Sequence, residues 1–308
     1  MTSRTRHLVR RAADAVYEPP SDWARGNTGL RRWEVIGANS ADSAGPAAAH
    51  TGFVLCELAP GGAVAAHVHS FEHTSFMLQG SAVLQSADGG AVALTEGDYG
   101  FVPVGVPHSW RNTGSGVARW ADMQAPQPRP ANGGDTFLVP PLDPQQPVPV
   151  DPRDPRTRAF GHISAEAMDP GRQTQDMLAV SASMRTALLV YSGITVKMMV
   201  DTDLGAVLST MFMVAYEPGG AAGAHDHPFE ETYLILDGEV DALFDGEPYL
   251  LRAGDVAWAG VGCVHAFNCS GRAPVRWLET QAPQPPARHS YRFARDWDYL
   301  AARLKGEN

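Results

Sequence analysis

Seven of the eleven histidines in the sequence fall into two clusters whose spacing could bind a metal ion. Each cluster contains a His-x-His pair, and because residues i and i+2 of a strand share a face, both imidazoles of a pair point the same way. Imidazole nitrogens, alone or with one carboxylate, suit Mn, Fe, Co, Ni or Zn, whereas Mg and Ca prefer oxygen ligands. The spacing therefore predicts transition-metal binding, with one ion expected per cluster.

The second cluster lies in the stretch AHDHPFEETY and is completed by a later histidine. Its expected metal ligands are His225, His227, Glu231 and His265. Glu231 is also a candidate catalytic base, and Tyr233 shares its face of the strand, which makes the phenol a second candidate catalytic group. Simple filling of the barrel interior is the other interpretation of Tyr233, and it is slightly favoured over contact with a substrate.

The first cluster contains His67, His69, His73 and His108, and His73 stands where the second cluster has its glutamate. Three interpretations are open: a site of four histidines, a site in which Glu72 supplies a carboxylate ligand, and a degenerate site without metal. Because all four histidines are present together, the four-histidine site is favoured. A metal held without a carboxylate would be the stronger Lewis acid.

An internal repeat connects the two clusters. The segment RWADMQAPQP at 119–128 matches RWLETQAPQP at 276–285 at seven of ten positions, with an offset of 157 residues. The His-x-His pairs and the later histidines recur at nearly the same offset, which indicates duplication of one domain. We therefore expect an N-terminal arm and first domain at 1–130, a proline-rich connector at 131–175 and a second domain at 176–308.

Short strands are the elements expected to position the histidines. Runs of Val, Leu, Ile, Phe, Tyr and Met alternate with Gly, Asp-Gly or Pro, which is typical of β-structure. Asp237-Gly238 and Asp245-Gly246 predict tight turns. A helix is expected only over 293–304, where large apolar residues share one face. Many short antiparallel strands per domain predict an all-β protein with two tandem jelly-roll barrels and a short C-terminal helix.

The pattern also predicts strand positions. The predicted strands cover 53–58, 75–78, 82–85, 91–94, 99–102 and 118–123 in the first half, and 207–216, 232–236, 239–244, 249–252, 256–259, 265–268 and 275–280 in the second. Lys197 lies in the strand-like run TVKMMV, where a lysine more often protects an exposed edge than anchors an anionic substrate. An edge position is therefore expected for Lys197.

Composition narrows the possible partners. With 24 Lys+Arg against 34 Asp+Glu, the formal charge of −10 leaves no basic surface for nucleic acid or an anionic membrane. The three cysteines show no CxxC spacing, so neither a disulfide framework nor a thiolate zinc site is indicated. No apolar run reaches the length of a membrane span. We expect a cytoplasmic protein whose partner is a small molecule.

Both clusters resemble the first motif of the cupin superfamily, which reads G, five residues, HxH, three or four residues, E, six residues, G. In the second half this motif is matched at every position by Gly219, His225, His227, Glu231 and Gly238. In the first half Gly61, His67, His69 and Gly80 match, with His73 in place of the glutamate. The second motif, which contains the remaining histidine ligand and an asparagine shortly after it, is matched in both halves, with Gly260 replacing its proline in the second.

The resemblance implies a bicupin, with a metal bound inside a jelly-roll barrel in each half. Since many bicupins cleave aromatic or flavonol rings, it favours a dioxygenase acting on a small aromatic or enolisable substrate, with iron preferred over Mn, Ni, Co or Zn. Redox-neutral hydrolysis, isomerisation or decarboxylation is the alternative, and non-enzymatic binding a weaker one. Bicupin oxalate decarboxylases use a barrel arginine, for which the sequence alone indicates no position. Cupin barrels commonly pair through edge strands and terminal arms, which implies a homo-oligomer.

Overall fold

The computed structural model describes residues 6–20, 25–37, 48–169 and 193–284, together with the backbone of two short strands at 186–189 and 292–293. Strand β1 (His7–Arg10) and a 3₁₀ turn (Ala12–Asp14) come first. Two β-barrels follow, so the predicted all-β fold with two tandem domains is confirmed. The helix expected over 293–304 lies outside the described residues, apart from Phe293 at the end of a short strand.

Among the described residues, eight strands form the first barrel. They are β2 (Thr28–Ile36), β3 (Gly52–His69), β4 (Glu72–Gln79), β5 (Ser81–Ser86), β6 (Gly90–Thr95), β7 (Asp98–Val102), β8 (His108–Arg111) and β9 (Ala118–Ala125). The long strand β3 is central, because it pairs with β2, β9 and β8 along its length. All six strands predicted for this half are found, each somewhat longer than expected.

The connector extends the sheet of the first barrel. It contains β10 (Thr136–Leu138), β11 (Val148–Pro149) and β12 (Phe160–His162), with 3₁₀ turns at Pro130–Asp135, Pro155–Thr157 and Ala165–Met168. β10 pairs with β3, β11 with β6 and β12 with β7. The proline-rich segment therefore lies against the first barrel as extended chain, consistent with the fixed φ of proline and its missing N–H.

The second barrel is built from two facing sheets. Its strands are β13 (Thr186–Leu189), β14 (Ile194–Val200), β15 (Thr210–Tyr216), β16 (Ala221–Asp226), β17 (Glu230–Asp237), β18 (Glu239–Phe244), β19 (Glu247–Arg252), β20 (Val256–Ala259), β21 (His265–Asn268), β22 (Val275–Ala282) and β23 (Arg292–Phe293). The sheet orders are β1-β20-β17-β22-β15-β14-β13 and β19-β18-β21-β16-β23. Strand β1, the first in the described part of the chain, is thus part of the second barrel.

Strand β1 pairs with β20 in antiparallel register, with His7 opposite Ala259 and Arg10 opposite Val256. Arg11 reinforces this contact through an ion pair of 2.7 Å with Asp255. This part of the N-terminal arm is therefore occupied within its own chain. The predicted homo-oligomer would need other surfaces for its contacts, and it remains a prediction.

Both His-x-His pairs follow an irregularity in strand pairing. The register of β3 against β8 shifts between Val64 and His67, and that of β16 against β21 shifts between Ala222 and His225. Bulges of this kind redirect the side chains that follow them. They bring His67 opposite His108, and His225 opposite His265.

Apolar side chains form three buried groups. One fills the first barrel around Met77 and Trp120, one fills the second around Tyr233 and Trp277, and the third lies between the barrels. Side chains alternate along a strand. In each strand at the interface, every second residue therefore points into its own barrel, and the residues between them point towards the other barrel. The shared core joins the two halves into one unit.

The Asp245-Gly246 turn closes the β18–β19 hairpin as predicted, whereas Gly238 connects β17 and β18, which lie in different sheets. Asp245 and Gly246 both have positive φ, 48° and 88°, as the two-residue turn between β18 and β19 requires. Gly238 also has positive φ, and a Cβ there would lie 2.4 Å from the carbonyl oxygen of Pro274. Only glycine fits this position without strain.

The expected edge position of Lys197 is wrong. The residue is 3% exposed, and its strand β14 has paired strands on both sides, β13 and β15. Burial lowers the pKa of its ammonium group. Its neighbours Val196 and Met198 pack on the interior of the second barrel, so Lys197 lies on the opposite face of the sheet and outside that interior.

Within the described residues, no helix has the length and apolar character needed to span a membrane.

Candidate functional site

Three histidines meet inside the first barrel. One ring nitrogen from each of His67, His69 and His108 lies within 4.8 Å of the others, and all three residues are buried. His67 and His69 come from the end of β3, and His108 begins β8. This is the spacing needed for three nitrogens to bind one ion.

Hydrogen bonds orient each ring of this cluster. The Nδ1 atoms of His67 and His108 lie 2.6 Å and 3.0 Å from the carbonyl oxygens of Ala65 and Val106. His69 Nδ1 lies 3.0 Å from Thr136 Oγ1 on β10 of the connector. Contacts of this kind fix the tautomer and leave Nε2 to act as ligand.

The electrostatics also fit a cation. Burial lowers the pKa of His67 to about 4 and, with the neighbouring histidines, holds the pKa of His69 and His108 well below the usual value. The rings are therefore neutral near pH 7, which is the form that binds metals. His108 Nε2 is buried without a hydrogen-bond partner, a costly state that a bound cation would relieve.

His73, the fourth histidine of the sequence-based site, lies beside this cluster. Its ring centre is 5.5 Å from that of His69 and 5.6 Å from that of His108. His73 Nε2 is 2.7 Å from Asp122 Oδ1, although the angle is poor for a hydrogen bond. The structure thus groups three of the four predicted histidines, and the role of His73 as a fourth ligand remains a prediction.

Glu72 is not a ligand of this cluster. Its Oε2 accepts hydrogen bonds from the backbone N–H groups of Val207 and Leu208, at 3.2 Å and 2.7 Å, which belong to the second half of the chain. Adjacent residues of a strand point to opposite faces, so Glu72 points away from the barrel interior that His73 faces. The interpretation with Glu72 as carboxylate ligand is therefore wrong.

The second barrel repeats the cluster with a carboxylate. Ring nitrogens of His225, His227 and His265 lie within 4.8 Å of one another. The two oxygens of Glu231 lie 3.1 Å from His265 Nε2 and 3.4 Å from His227 Nε2. The structure therefore brings together all four predicted ligands of this cluster.

The ring orientation is also repeated. The Nδ1 atoms of His225 and His265 lie 2.6 Å and 3.0 Å from the carbonyl oxygens of Gly223 and Cys263. Burial lowers the pKa of His225 to about 4. Burial raises the pKa of Glu231, but the hydrogen bond and charge of His265 outweigh it and hold that pKa below its usual range. His225 is therefore neutral and Glu231 ionised near pH 7, and these are the forms in which the two groups bind a metal.

Two further side chains hold the Glu231 carboxylate. The Tyr233 hydroxyl donates to Oε2 at 2.6 Å, and Gln281 Nε2 donates to Oε1 at 2.7 Å. Burial, then the charge of Glu231, raise the pKa of Tyr233 well above its usual value, so the phenol stays a proton donor. The structure places Tyr233 next to the expected ligand, and its catalytic role remains a prediction.

A cavity of about 80 Å³ opens beside the histidines of the first barrel. Its ionic lining comes from Arg32 and Glu34 on β2 and from Asp122 on β9. Trp110 and Trp120 stack at 4.7 Å between ring centres and form an apolar wall. The three-histidine cluster therefore adjoins a small chamber with one cationic side chain.

Sequence reasoning missed the charged residues of this cavity. Arg32 pairs with Cys56 on β3, whereas Val196 stands at the matching position of the second barrel, opposite Val214. Asp122 lies within the repeated RW segment, which could have identified it as an inward-facing acid. No signal of that kind marks Arg32, because β2 was not predicted as a strand.

The second barrel is filled by aromatic rings. Tyr233 lies 4.8 Å from Phe267, and Phe267 lies 5.3 Å from Trp277, measured between ring centres. Phe244 and Tyr216 pack in the same group. The two barrels therefore differ in kind, since the first has polar space beside its histidines and the second has close-packed rings.

Comparisons with known proteins agree with the two-barrel architecture. The cupin domain family matches the chain twice, at residues 54–123 and 212–280. Among solved structures, the oxalate decarboxylase of Lactobacillus farciminis in its formate complex is similar, with a TM-score of 0.63, 17% identity and coverage of 96% of this chain and 92% of that one. No curated protein matches the chain in sequence.

Two structures of the oxalate decarboxylase from Bacillus subtilis are also similar. The enzyme at pH 4.6 has a TM-score of 0.61 and 16% identity, with coverage of 99% of this chain and 84% of that one. A structure concerned with the Mn(II) centres of that enzyme has the same TM-score and identity, with coverage of 99% and 85%. At such identities the likeness shows the fold alone.

Proposed function

We propose that this chain, which belongs to the cupin superfamily as a bicupin, is an enzyme. It catalyses redox-neutral, metal-dependent chemistry on a small carboxylate in its first barrel. The observation that carries this proposal is Arg32 in the cavity beside the three-histidine cluster. Decarboxylation is the reaction of the similar oxalate decarboxylases, and hydrolysis and isomerisation belong to the same class. We expect the substrate to bind in this cavity, next to the metal.

The chain's own residues would hold a divalent transition metal in each barrel. His67, His69 and His108 fit the first site, with His73 at its edge, and the cluster around Glu231 fits the second. Manganese is the first candidate in view of the Mn(II) centres of the similar enzyme. When bound in the first barrel, such an ion supplies a Lewis acid that polarises a carboxylate or carbonyl oxygen.

Arg32 would bind the carboxylate of the substrate. A guanidinium presents two parallel N–H donors to a carboxylate, and such charge-assisted pairs are stronger than neutral hydrogen bonds. With neutral histidines and one divalent cation, the formal charges of Arg32, Glu34 and Asp122 leave the cavity with one net positive charge. This charge favours an anionic substrate.

The cavity size favours a short substrate. Its volume of about 80 Å³ is roughly half that of an engineered 150 Å³ cavity that binds benzene. An aromatic substrate would therefore require the walls to move apart. The stacked tryptophans instead fit the role of excluding water from a small ligand.

Substitution of the arginine tests the proposal. Metal-loaded protein is incubated with oxalate and other short carboxylates under argon, and products are followed by NMR. Arg32→Met should lower kcat/KM about 100-fold, because a charged hydrogen-bonded pair contributes up to about 3 kcal/mol. Arg31→Met is the matched control, since Arg31 is exposed and donates to the carbonyl oxygen of Tyr17. Equal kcat/KM in the two variants would contradict the role of Arg32.

Dioxygenase chemistry, favoured by the sequence, is the second candidate. Its support is the three-nitrogen cluster beside open space, which suits iron and other redox metals. Small enolisable substrates fit the cavity better than aromatic ones. Oxygen uptake that matches product formation, with no turnover under argon, would establish this candidate in place of the first.

A further inference from the structure

Two glutamates, one from each barrel, extend across the interface between the barrels. Each directly precedes the predicted metal-site residue of its strand. Glu72 precedes His73 on β4, and Glu230 precedes Glu231 on β17. Each is buried and points away from its own barrel, and its carboxylate binds backbone of the other half. The two contacts are related by the internal repeat.

Glu230 makes the fuller contact. Its Oε1 accepts from the N–H of Ala49 at 2.8 Å, and its Oε2 accepts from the N–H groups of His50 and Thr51 at 3.1 Å and 3.0 Å. The Thr51 hydroxyl donates to Oε2 as a fourth donor, at 2.9 Å. Glu72, by contrast, accepts two N–H bonds on one oxygen, and its other oxygen is buried without a hydrogen-bond partner.

The segment that Glu230 binds touches the wall of the first-barrel cavity. Gln127 Nε2 donates to the carbonyl oxygen of Thr51 at 3.0 Å. At the next residue, Gly52, a Cβ would lie 2.9 Å from Gln124 Oε1 and 3.1 Å from Pro128 Cδ. Gln124 and Pro128 both line the cavity. A continuous series of contacts therefore runs from the strand of the second-barrel cluster to the first-barrel cavity.

We propose that Glu230 is a positioning residue for the first-barrel cavity, which it shapes through the 49–52 segment. The proposal rests on the proposed function only in assigning the carboxylate site to this cavity. Glu72 binds the segment 207–208, which is not among the residues lining that cavity. The contact of Glu72 is therefore a control within the same chain, because it is similar to that of Glu230 but does not reach the cavity wall.

Acetate binding tests the inference without requiring turnover. Glu230→Gln keeps the shape of the side chain but places an amide NH₂ among backbone N–H donors, which repel it. Metal-loaded wild type, Glu230→Gln and Glu72→Gln are titrated with acetate by calorimetry. We expect at least a five-fold weaker affinity for Glu230→Gln and a change below two-fold for Glu72→Gln. With a turned-over substrate, Glu230→Gln should raise KM more than it lowers kcat.

The outcomes separate the two proposals. Wild type that binds no acetate would refute the carboxylate site itself. Acetate bound equally by wild type and Glu230→Gln, or weakened equally in both glutamate variants, would overturn the positioning role while the site stands. If Glu230→Gln does not fold, Thr51→Val removes the hydroxyl that donates to Glu230 and accepts from Trp258 Nε1, and it should weaken acetate binding by about two- to three-fold, as loss of the bond to Glu230 implies. Unchanged binding in Thr51→Val would then overturn the inference.

Discussion

Replacing Tyr233 with phenylalanine should weaken metal binding in the second barrel. The Tyr233 hydroxyl donates at 2.6 Å to a Glu231 oxygen, and both residues are 1% exposed. A hydrogen bond to a charged group contributes about 1.5–3 kcal/mol. If about 2 kcal/mol of this serves to hold the carboxylate in its ligand orientation, the metal dissociation constant should rise about 30-fold.

Chelator competition measures this effect. The titration is done with Mn²⁺ in a His67→Ala/His69→Ala background, so that the second barrel holds the metal under study. Tyr216→Phe is the matched control, a buried phenol of the same barrel whose ring packs on Trp277. An unchanged or tighter dissociation constant for Tyr233→Phe would refute this reasoning. Unchanged metal affinity, with turnover lost when Tyr233→Phe is made alone in the wild-type protein, would instead support the catalytic role predicted for Tyr233 and place chemistry in the second barrel.

Two further predictions concern stability and metal content. Gly238→Ala should lower the free energy of unfolding by about 2–4 kcal/mol, because positive φ and the close carbonyl oxygen of Pro274 both oppose a Cβ. Gly246→Ala, with positive φ but open space, should cost about 1 kcal/mol, and urea unfolding compares the two. Elemental analysis of wild type should find two divalent ions per chain, and removal of either His-x-His pair should halve that content. A wild-type value of one would show that a single barrel is occupied.

The strands could be predicted well because alternation and turn chemistry are local. The predicted strands 239–244, 256–259 and 265–268 have the same bounds in the structure. Asp-Gly between β18 and β19 fixes its turn through positive φ at both residues. The second-barrel cluster was predictable for a related reason, since the HxH spacing alone places two imidazoles on one face.

Long-range pairing explains what could not be predicted. Arg32 lines the cavity only because β2 pairs with β3, a contact that no pattern in the sequence of β2 reveals. Glu72 and His73 are adjacent, and the alternation of side chains along β4 decides which of them faces inward. The predicted strand begins at residue 75 and covers neither residue, so it does not settle this point. Lys197 was misplaced because the sequence does not show that β14 has a neighbour on each side.

The pairing of β1 with β20 has a consequence for synthesis of the protein. Arg10 can pair only after Val256, its partner in β20, has been synthesised 246 residues later in the chain. At roughly 5–20 residues per second, this delay lasts about 12–50 s on the ribosome. During that time the first barrel can fold while β1 remains unpaired, and β20 emerges with an open edge until β1 covers it. The second barrel is thus completed by β1, a strand that is synthesised before the rest of that barrel. Until β1 pairs, the open edge of β20 is a site where chains aggregate.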